Sequence, residues 1–416
     1  MGSLNSVSCP SPGSCVAVGD SMLLTEKEGH WVARQPALPE DAAPGGAVLT
    51  SVSCASAGNC TAVGYYSGRG LLLTETGGHW ARGVEAPLPS DASGGTVYLP
   101  SVSCAADGSC SAVGYYDGNF PSTGDASAKP LLLSETGGEW HAVEAVMPPD
   151  ELSKWAEVSS VSCASGGNCS AIGAPQNVLL TEKAGEWGPG VKAEPPKNAA
   201  TSGFFAGGSV GLYGISCSAP GNCVAVGSYV DDHNHFQGMI VSETAGKWHR
   251  GLEAAVSHDG RDRGLGLVSC ASPGNCTAVG YYSGAYGDPS QVLVTETGGR
   301  WARGVRIPIS PYDGIQGISC AAPGNCGAVG GNESPCPCIN AVLLDSSTKP
   351  CVVPRLTGMT VATARRSLDT HGCSVGRIRH ARSGTIERGH VISQTRQPGR
   401  HRGPWARVGL RVGSGP

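Results

Sequence analysis

The chain has 416 residues, 18 of them cysteine, and a formal net charge of −4. So many cysteines, even in number, exclude a protein working in a reducing cytoplasm, and no stretch approaches the length of a membrane span. The charge is uneven: residues 349–416 hold 13 Lys+Arg against 2 Asp+Glu, a formal +11, which leaves 16 basic and 31 acidic residues, a formal −15, for the chain before them.

From the N-terminus the chain repeats one phrase seven times: a short apolar strand, Cys, five residues, Cys, and one residue later Ala-(Val/Ile)-Gly. The pairs are Cys9/Cys15, Cys54/Cys60, Cys104/Cys110, Cys163/Cys169, Cys217/Cys223, Cys270/Cys276 and Cys320/Cys326, with first cysteines 45 to 59 residues apart. In the second unit, Leu49-Thr50-Ser51-Val52-Ser53-Cys54 reads as a strand and Ala55-Ser56-Ala57-Gly58-Asn59 as a turn. Cys60 to Tyr66 is a second strand, Leu71-Leu72-Leu73-Thr74-Glu75 a third, and His79 to Val84, after Thr76-Gly77-Gly78, a fourth. A four-stranded meander without helical periodicity cannot bury both faces alone. Repeated seven times it predicts an all-β, seven-bladed β-propeller over residues 1–345, with 346–350 as linker and 351–416 as a second domain. The last blade is incomplete: after Ala341-Val342-Leu343-Leu344-Asp345 no Trp strand follows.

Each C-x₅-C pair flanks a hairpin turn, where strand partners come within disulfide reach. Zinc sites want C-x₂₋₄-C pairs meeting a second pair, and these pairs lie on separate blades. Disulfides are therefore expected at all fourteen positions, and with them an extracytoplasmic protein, secreted or wall-associated, although no signal peptide is visible in this chain. Trp31, Trp80, Trp140, Trp187, Trp248 and Trp301 each follow a Thr/Ser-Glu and a Gly-containing turn. They are either sugar platforms or packing between neighbouring sheets, and packing is favoured because every unit demands one. The repeated Glu26, Glu75, Glu135, Glu182, Glu243 and Glu296 are read as structural for the same reason.

The phrase "VSC…C-x-AVG…TE…W" resembles the Trp- and Cys-containing propeller repeats of secreted actinobacterial proteins, over roughly residues 4–345. The C-terminal segment resembles a PASTA domain through Val353-Pro354-x-Leu356-x-Gly358, Ala364, Leu368, Gly372-Cys373-x-Val375-Gly376, Gly389-x-Val391-Ile392-x-Gln394, Pro398-Gly399 and a closing Val-x-Leu-x-Val. Thr360 is expected to cap a helix running to about Thr370. The family's acidic and hydroxyl-rich surface is replaced here by arginine, and Thr395 stands where Pro is usual. The resemblance implies a small α+β module in a bacterial cell envelope, docking to peptidoglycan, and a disulfide between Cys351 and Cys373. Cys336 and Cys338 are left without an assigned partner.

No catalytic set is legible, and no metal or other cofactor is expected. The best metal-like cluster is Asp231, Asp232, His233 and His235, read in preference as a solvated loop. The expectation is a non-enzymatic, monomeric binding or scaffold protein. Its propeller recognises an unknown protein or glycan, and its basic tail binds peptidoglycan or an anionic wall polymer, with no nucleic acid as partner. The alternative is a glycoside hydrolase or lyase acting on wall or extracellular glycans, with its residues in the loops at 117–130, 230–237 and 283–290.

Overall fold

Each C-x₅-C phrase folds as a tight antiparallel hairpin. In six of the seven the two cysteines are direct register partners: Cys54 faces Cys60, Cys104 faces Cys110, Cys163 faces Cys169, Cys217 faces Cys223, Cys270 faces Cys276 and Cys320 faces Cys326. All seven pairs have their sulfur atoms at bonding distance. The computed structural model describes residues 4–415 apart from 12, 28–29, 44–45, 120–125, 150–155, 174–176, 202–208, 257–259, 285–288, 308–312, 333–341, 346–350, 372, 384–386 and 403–405. Cys336, Cys338 and the linker expected at 346–350 therefore lie outside the described residues, as do parts of the loops at 117–130 and 283–290. The chain divides into two compact units, Met1–Leu344 and Asp345–Pro416.

The cysteine pairs depart from expectation in one respect. Spacing treats the two members alike, as flanks of an outer turn, but the structure separates them. The second cysteines, Cys15, Cys60, Cys110, Cys169, Cys223, Cys276 and Cys326, are buried. Cys9 is exposed, and Cys54, Cys104, Cys163, Cys217, Cys270 and Cys320 are only half-buried. The reason is strand order. The second cysteine sits on a strand covered on both sides, whereas the first sits on the edge strand. Cys60, Cys110, Cys169 and Cys276 thereby join the apolar layers between sheets. Hydroxyls of the preceding sheet reach these sulfurs: Thr61 Oγ1 lies 3.4 Å from Cys110 Sγ, Ser111 Oγ 3.3 Å from Cys169 Sγ and Ser170 Oγ 3.4 Å from Cys223 Sγ. Each pair is thus both a turn staple and part of the core.

In the first unit every repeat makes one antiparallel sheet with its strands in chain order. The second sheet is typical: Ala47–Ser56, Asn59–Tyr66, Arg69–Thr76 and His79–Trp80, with Val84–Glu85 returning to the third strand. The seventh has three described strands, Asp313–Ala322, Asn325–Asn332 and Val342–Asp345. The core is distributed in layers between consecutive sheets. Val16, Val18 and Leu23 of the first sheet pack on Val52, Ala62 and Leu73 of the second. Val63 and Leu72 on the reverse face of the second pack on Val102, Ala112 and Leu133 of the third. Adjacent strand residues point to opposite faces, so the continuous apolar runs (Leu71-Leu72-Leu73) serve two layers at once. This is the propeller arrangement of repeated sheets. The first sheet is the exception: Val7 and Trp31 are 43% and 46% exposed, whereas their counterpart Val52 is buried and Trp80 half-buried.

The first strands of neighbouring sheets meet, and their free edges are satisfied across the gap. The serine directly before each first cysteine accepts a backbone N–H group from the next sheet: Ser8 Oγ from Cys54 (3.0 Å), Ser53 Oγ from Cys104 (2.9 Å), Ser103 Oγ from Cys163 (2.9 Å), Ser162 Oγ from Cys217 (2.9 Å), Ser216 Oγ from Cys270 (3.0 Å) and Ser269 Oγ from Cys320 (3.0 Å). An edge strand's unpaired donors must find acceptors; here a side-chain belt supplies them without merging the sheets.

The fourth strand also departs from expectation. His79 to Val84 is two short pieces rather than one strand, broken at 81–83. The reason is Gly83, whose N–H donates to Ala37 O of the preceding connection (2.7 Å). Gly190, Gly251 and Gly304 do the same toward Val146, Glu194 and Ala255. The first and third sheets have no glycine at that position and keep continuous fourth strands, His30–Arg34 and Glu139–Glu144.

The second unit has a parallel-antiparallel sheet in which Ala406–Gly413 lies between Cys373–Ala381 and Val391–Gln394. The helix, Val361–Thr370, begins where expected, with the Thr360 hydroxyl accepting the Thr363 N–H (3.2 Å). Cys351 and Cys373, at bonding distance, join Leu356, Ala364, Leu368, Val391, Val408, Leu410 and Val412 in its core. Gln394 ties the first loop down: its Oε1 accepts the Leu356 N–H (2.8 Å), and its Nε2 donates to Pro354 O (2.9 Å).

Candidate functional site

Buried carboxylates are the first place to look for chemistry. Glu75, Glu135, Glu182, Glu243 and Glu296 are all buried, and burial pushes each of their carboxyls above the ordinary glutamate range. Each pairs in register with a tryptophan: Trp80, Trp140, Trp187, Trp248 and Trp301. They sit between sheets. Ser134 of the third sheet donates to Glu182 Oε1 (2.8 Å) and accepts the Trp187 Nε1–H (3.0 Å) of the fourth; Thr181 in turn accepts the Trp248 Nε1–H (3.2 Å) of the fifth. The Thr/Ser-Glu…Trp phrase is thus an inter-sheet joint, and the tryptophans pack in the layers rather than forming open platforms.

Two of them nevertheless edge a groove of about 610 Å³ between the fourth and fifth sheets, Trp187 and Trp248, with Lys183, Lys192, Lys247 and His249 around them. The groove is open and mixed in charge, with Glu186 and Glu194 also on its wall.

The metal-like cluster is placed in the hairpin after Asn222–Val230. One ligand atom each of Asp231, Asp232 and His233 falls within 4.8 Å of the others. Asp231 is 5% exposed, and its oxygens are already engaged: Oδ1 accepts the His233 and His235 N–H groups (2.9 Å each), and Oδ2 accepts Gln237 Nε2 (2.7 Å). Burial pushes this carboxyl up, but the His235 and His233 amides and Gln237 outweigh it and hold the group below the usual aspartate range. Asp231 is the organiser of a turn in which Asn234 takes φ 59°. The imidazole of exposed His233 meets Asp232 instead, Nδ1 to Oδ1 at 2.7 Å. Asp231→Ala should therefore cost about 2 kcal/mol through three lost hydrogen bonds and speed amide exchange at His233 and His235. An unchanged exchange pattern would show the turn to be held by other contacts. Because the native carboxyl titrates low, its contribution is present above the unfolded pKa and lost as pH falls through the native one.

Sequence reasoning missed an aromatic row. Tyr65, Tyr98 and Tyr115 lie in sequence across the second and third sheets, with ring centroids 5.7 and 5.8 Å apart. All three are half-buried. Burial raises the hydroxyl pKa of Tyr98 and Tyr115, and the Glu157 carboxylate adds to both. The signal was in the doublets Tyr65-Tyr66, Tyr115-Tyr116 and Tyr281-Tyr282: in a strand only one of two neighbours faces a given core layer. Tyr66, Tyr116 and Tyr282 are buried, and Tyr281 is 49% exposed. The buried hydroxyls reach the inter-sheet connections, Tyr116 to Asp91 (2.9 Å) and Tyr229 to Asn198 (3.0 Å). The other member of each doublet is left to present its ring. Three rings beside a carboxylate suit a ligand with apolar faces and hydroxyl groups.

The second unit carries the charge. Arg355, Arg365, Arg366, Arg377, Arg379, Arg407 and Arg411 are exposed. Its fold, core and helix position are those of a single small module. Residues 352–402 match the PASTA domain. No curated protein matches this chain. Among solved structures, the chain is similar to YCF48 from Cyanidioschyzon merolae, at 16% identity over 79% of this chain and 93% of that one, with a TM-score of 0.48. It is also similar to a catalytically inactive virginiamycin B lyase from Staphylococcus aureus with quinupristin, at 11% identity over 80% and 92%, TM-score 0.46. A third is the Cps50 (Swd1) β-propeller domain from Myceliophteria thermophila, at 10% identity over 82% and 97%, TM-score 0.44. The PASTA match and the many cysteine pairs point to an extracytoplasmic protein. Among the described residues no helix is long and apolar enough to cross a membrane.

Proposed function

We propose that the protein is a non-enzymatic, extracytoplasmic binding scaffold of the bacterial envelope, in which the PASTA module docks to the cell wall and the propeller presents a recognition surface. Seven consecutive sheets support a seven-bladed ring, and the Trp/Cys phrase supports kinship with the secreted actinobacterial propellers it resembles. On the propeller the ligand surface is the Tyr65–Tyr98–Tyr115 row with Glu157, whose chemistry favours a glycan. The carboxylates repeated in the second to sixth sheets serve the inter-sheet joints, which favours binding over hydrolysis or lyase chemistry. The carrying observation is that one compact unit combines the PASTA match with 13 Lys+Arg against 3 Asp+Glu.

The purified chain should sediment with isolated bacterial wall at low salt and progressively less as salt rises, since exposed charges are screened over ~8 Å at physiological ionic strength. A salt-resistant fraction would indicate a specific muropeptide contact. Removing residues 346–416 should abolish sedimentation; a truncated propeller that sediments as well as the whole chain would overturn the assignment of docking to the module. Turnover of wall glycan by the intact chain would overturn the non-enzymatic reading.

A further inference from the structure

The sheet of the PASTA module has two faces of opposite chemistry. Its central strand, Ala406–Gly413, buries Val408, Leu410 and Val412 in the module's core. The alternate positions Arg407 and Arg411 are exposed. Register sets Arg379 of Cys373–Ala381 directly opposite Arg411, and Ser393 of Val391–Gln394 on its other flank. Arg377 is exposed two residues before Arg379, while Ile378 between them turns to the core. Four arginines therefore share one sheet face, spaced about 4.8 Å across strands and about 13 Å along the central one.

Like charges directly opposite in a sheet are unfavourable. Nothing on this face offsets them: no ion pair of Arg377, Arg379, Arg407 or Arg411 occurs among the described residues. An arrangement that costs the isolated module free energy is stabilised when an anion covers it. The cations are guanidinium groups, whose planar forks match the paired non-bridging oxygens of a phosphate better than an ammonium does.

Resting on the wall-docking reading above, we infer that the Arg377–Arg379–Arg407–Arg411 face binds the phosphodiester groups of an anionic wall polymer, rather than the peptide or sugar of peptidoglycan itself. A polymer with a phosphodiester in every repeat engages several arginines at once, and the linked contacts multiply. The stem-peptide carboxylates of peptidoglycan are isolated and attached to a cross-linked mesh, and do not run along a strand face in this way.

The test uses the full chain, walls as isolated, and walls treated with hydrofluoric acid, which cleaves phosphodiesters and leaves peptidoglycan. The double variant Arg379→Ser/Arg411→Ser is compared with Arg365→Ser/Arg366→Ser, which removes the same charge from the helix instead. Thermal transitions confirm that both variants fold. Expected is loss of wild-type binding on stripped walls, a fall of at least about tenfold for the sheet variant on native walls, and little change for the helix variant. Equal binding to stripped and native walls would overturn the phosphodiester face while leaving wall docking intact. Equal losses in the two variants would reduce the effect to net charge and also overturn it. Binding to neither wall would overturn wall docking itself, and stronger retention on mixed-sequence DNA than on native walls would reassign the face to nucleic acid.

Discussion

Gly227→Ala should unfold the propeller unit far more readily than the chemically identical Gly173→Ala. Both glycines close an Ala-(Val/Ile)-Gly phrase, at the point where the second strand passes a bulge in the first. A Cβ on Gly227 would lie 1.8 Å from Gly211 O and 2.8 Å from Leu212 Cα, both backbone atoms of the paired strand. Gly64, Gly114 and Gly280 are alike, with carbonyl oxygens of Val48, Tyr98 and Gly264 at 2.0, 1.9 and 2.0 Å. No rotamer relieves such an overlap, so the strands must separate, and the first strand with its serine belt must move with them. The expected loss is about 3 kcal/mol, the upper end for overpacking. At Gly173 the nearest atom is Met147 Cε at 2.8 Å, the end of a flexible side chain, and the nearest carbonyl oxygen is 3.5 Å away. There the expected loss is about 1 kcal/mol, because Met repacks easily. Denaturant unfolding of the two variants tests this; equal losses would show that the bulge yields and that the glycine repeats for another reason.

That glycine also marks how far the sequence could be read. The period, the hairpins across Cys54/Cys60 and its copies, the helix after Thr360 and the buried Leu71-Leu72-Leu73 run all follow from local pattern: alternation, turn residues and capping. What joins one sheet to the next does not, because it pairs residues some fifty positions apart. Ser53 looks like an ordinary strand serine until its Oγ is seen to accept the Cys104 N–H. Cys110 looks equivalent to Cys104 until its sulfur is seen buried against Thr61 of the sheet before. Gly83 reads as a tolerated strand glycine until its N–H is seen to bond Ala37 O. Tyr65 and Tyr66 are equivalent as letters, and only the strand's two faces distinguish the buried ring from the presented one. The arginines of the module were legible as charge but not as a face, since Arg379 and Arg411 become neighbours only through a parallel pairing.

The propeller unit should become more stable, not less, as pH falls from neutrality to about 5. Most proteins lose stability on acidification because native carboxylates are paired and titrate below their unfolded values. Here burial raises the carboxyl pKa of five glutamates, Glu75, Glu135, Glu182, Glu243 and Glu296. A native carboxyl that takes up its proton at higher pH than the unfolded one makes folding most favourable below the unfolded pKa of about 4.3, and that advantage is lost as pH rises through the native pKa. Each unit of elevation is worth about 1.4 kcal/mol. The size of the effect at each joint depends on the neighbour. Ser111 and Ser134 donate to Glu182, and Ser170 to Glu243. The positions equivalent to Ser111 are Val16 before Glu75 and Val224 before Glu296. Glu75 Oε2 and Glu296 Oε2 are both buried with no hydrogen-bond partner among the described residues, but Glu75 has the Lys27 charge nearby to offset the loss and Glu296 has no such cation acting on it. Glu296→Gln should therefore raise the thermal midpoint at pH 7 and flatten its pH dependence, while Glu182→Gln changes it less. Val224→Ser, supplying the missing hydroxyl, should recover part of the same gain without altering the carboxylate. Below about pH 4 the trend must reverse, because Asp91, held low by Lys129, and Asp231, held low by its turn, then lose their native charges. A midpoint that fell monotonically from pH 7 to 5 would show that the five joints keep their glutamates solvated, and that the paired aspartates set the acid response alone.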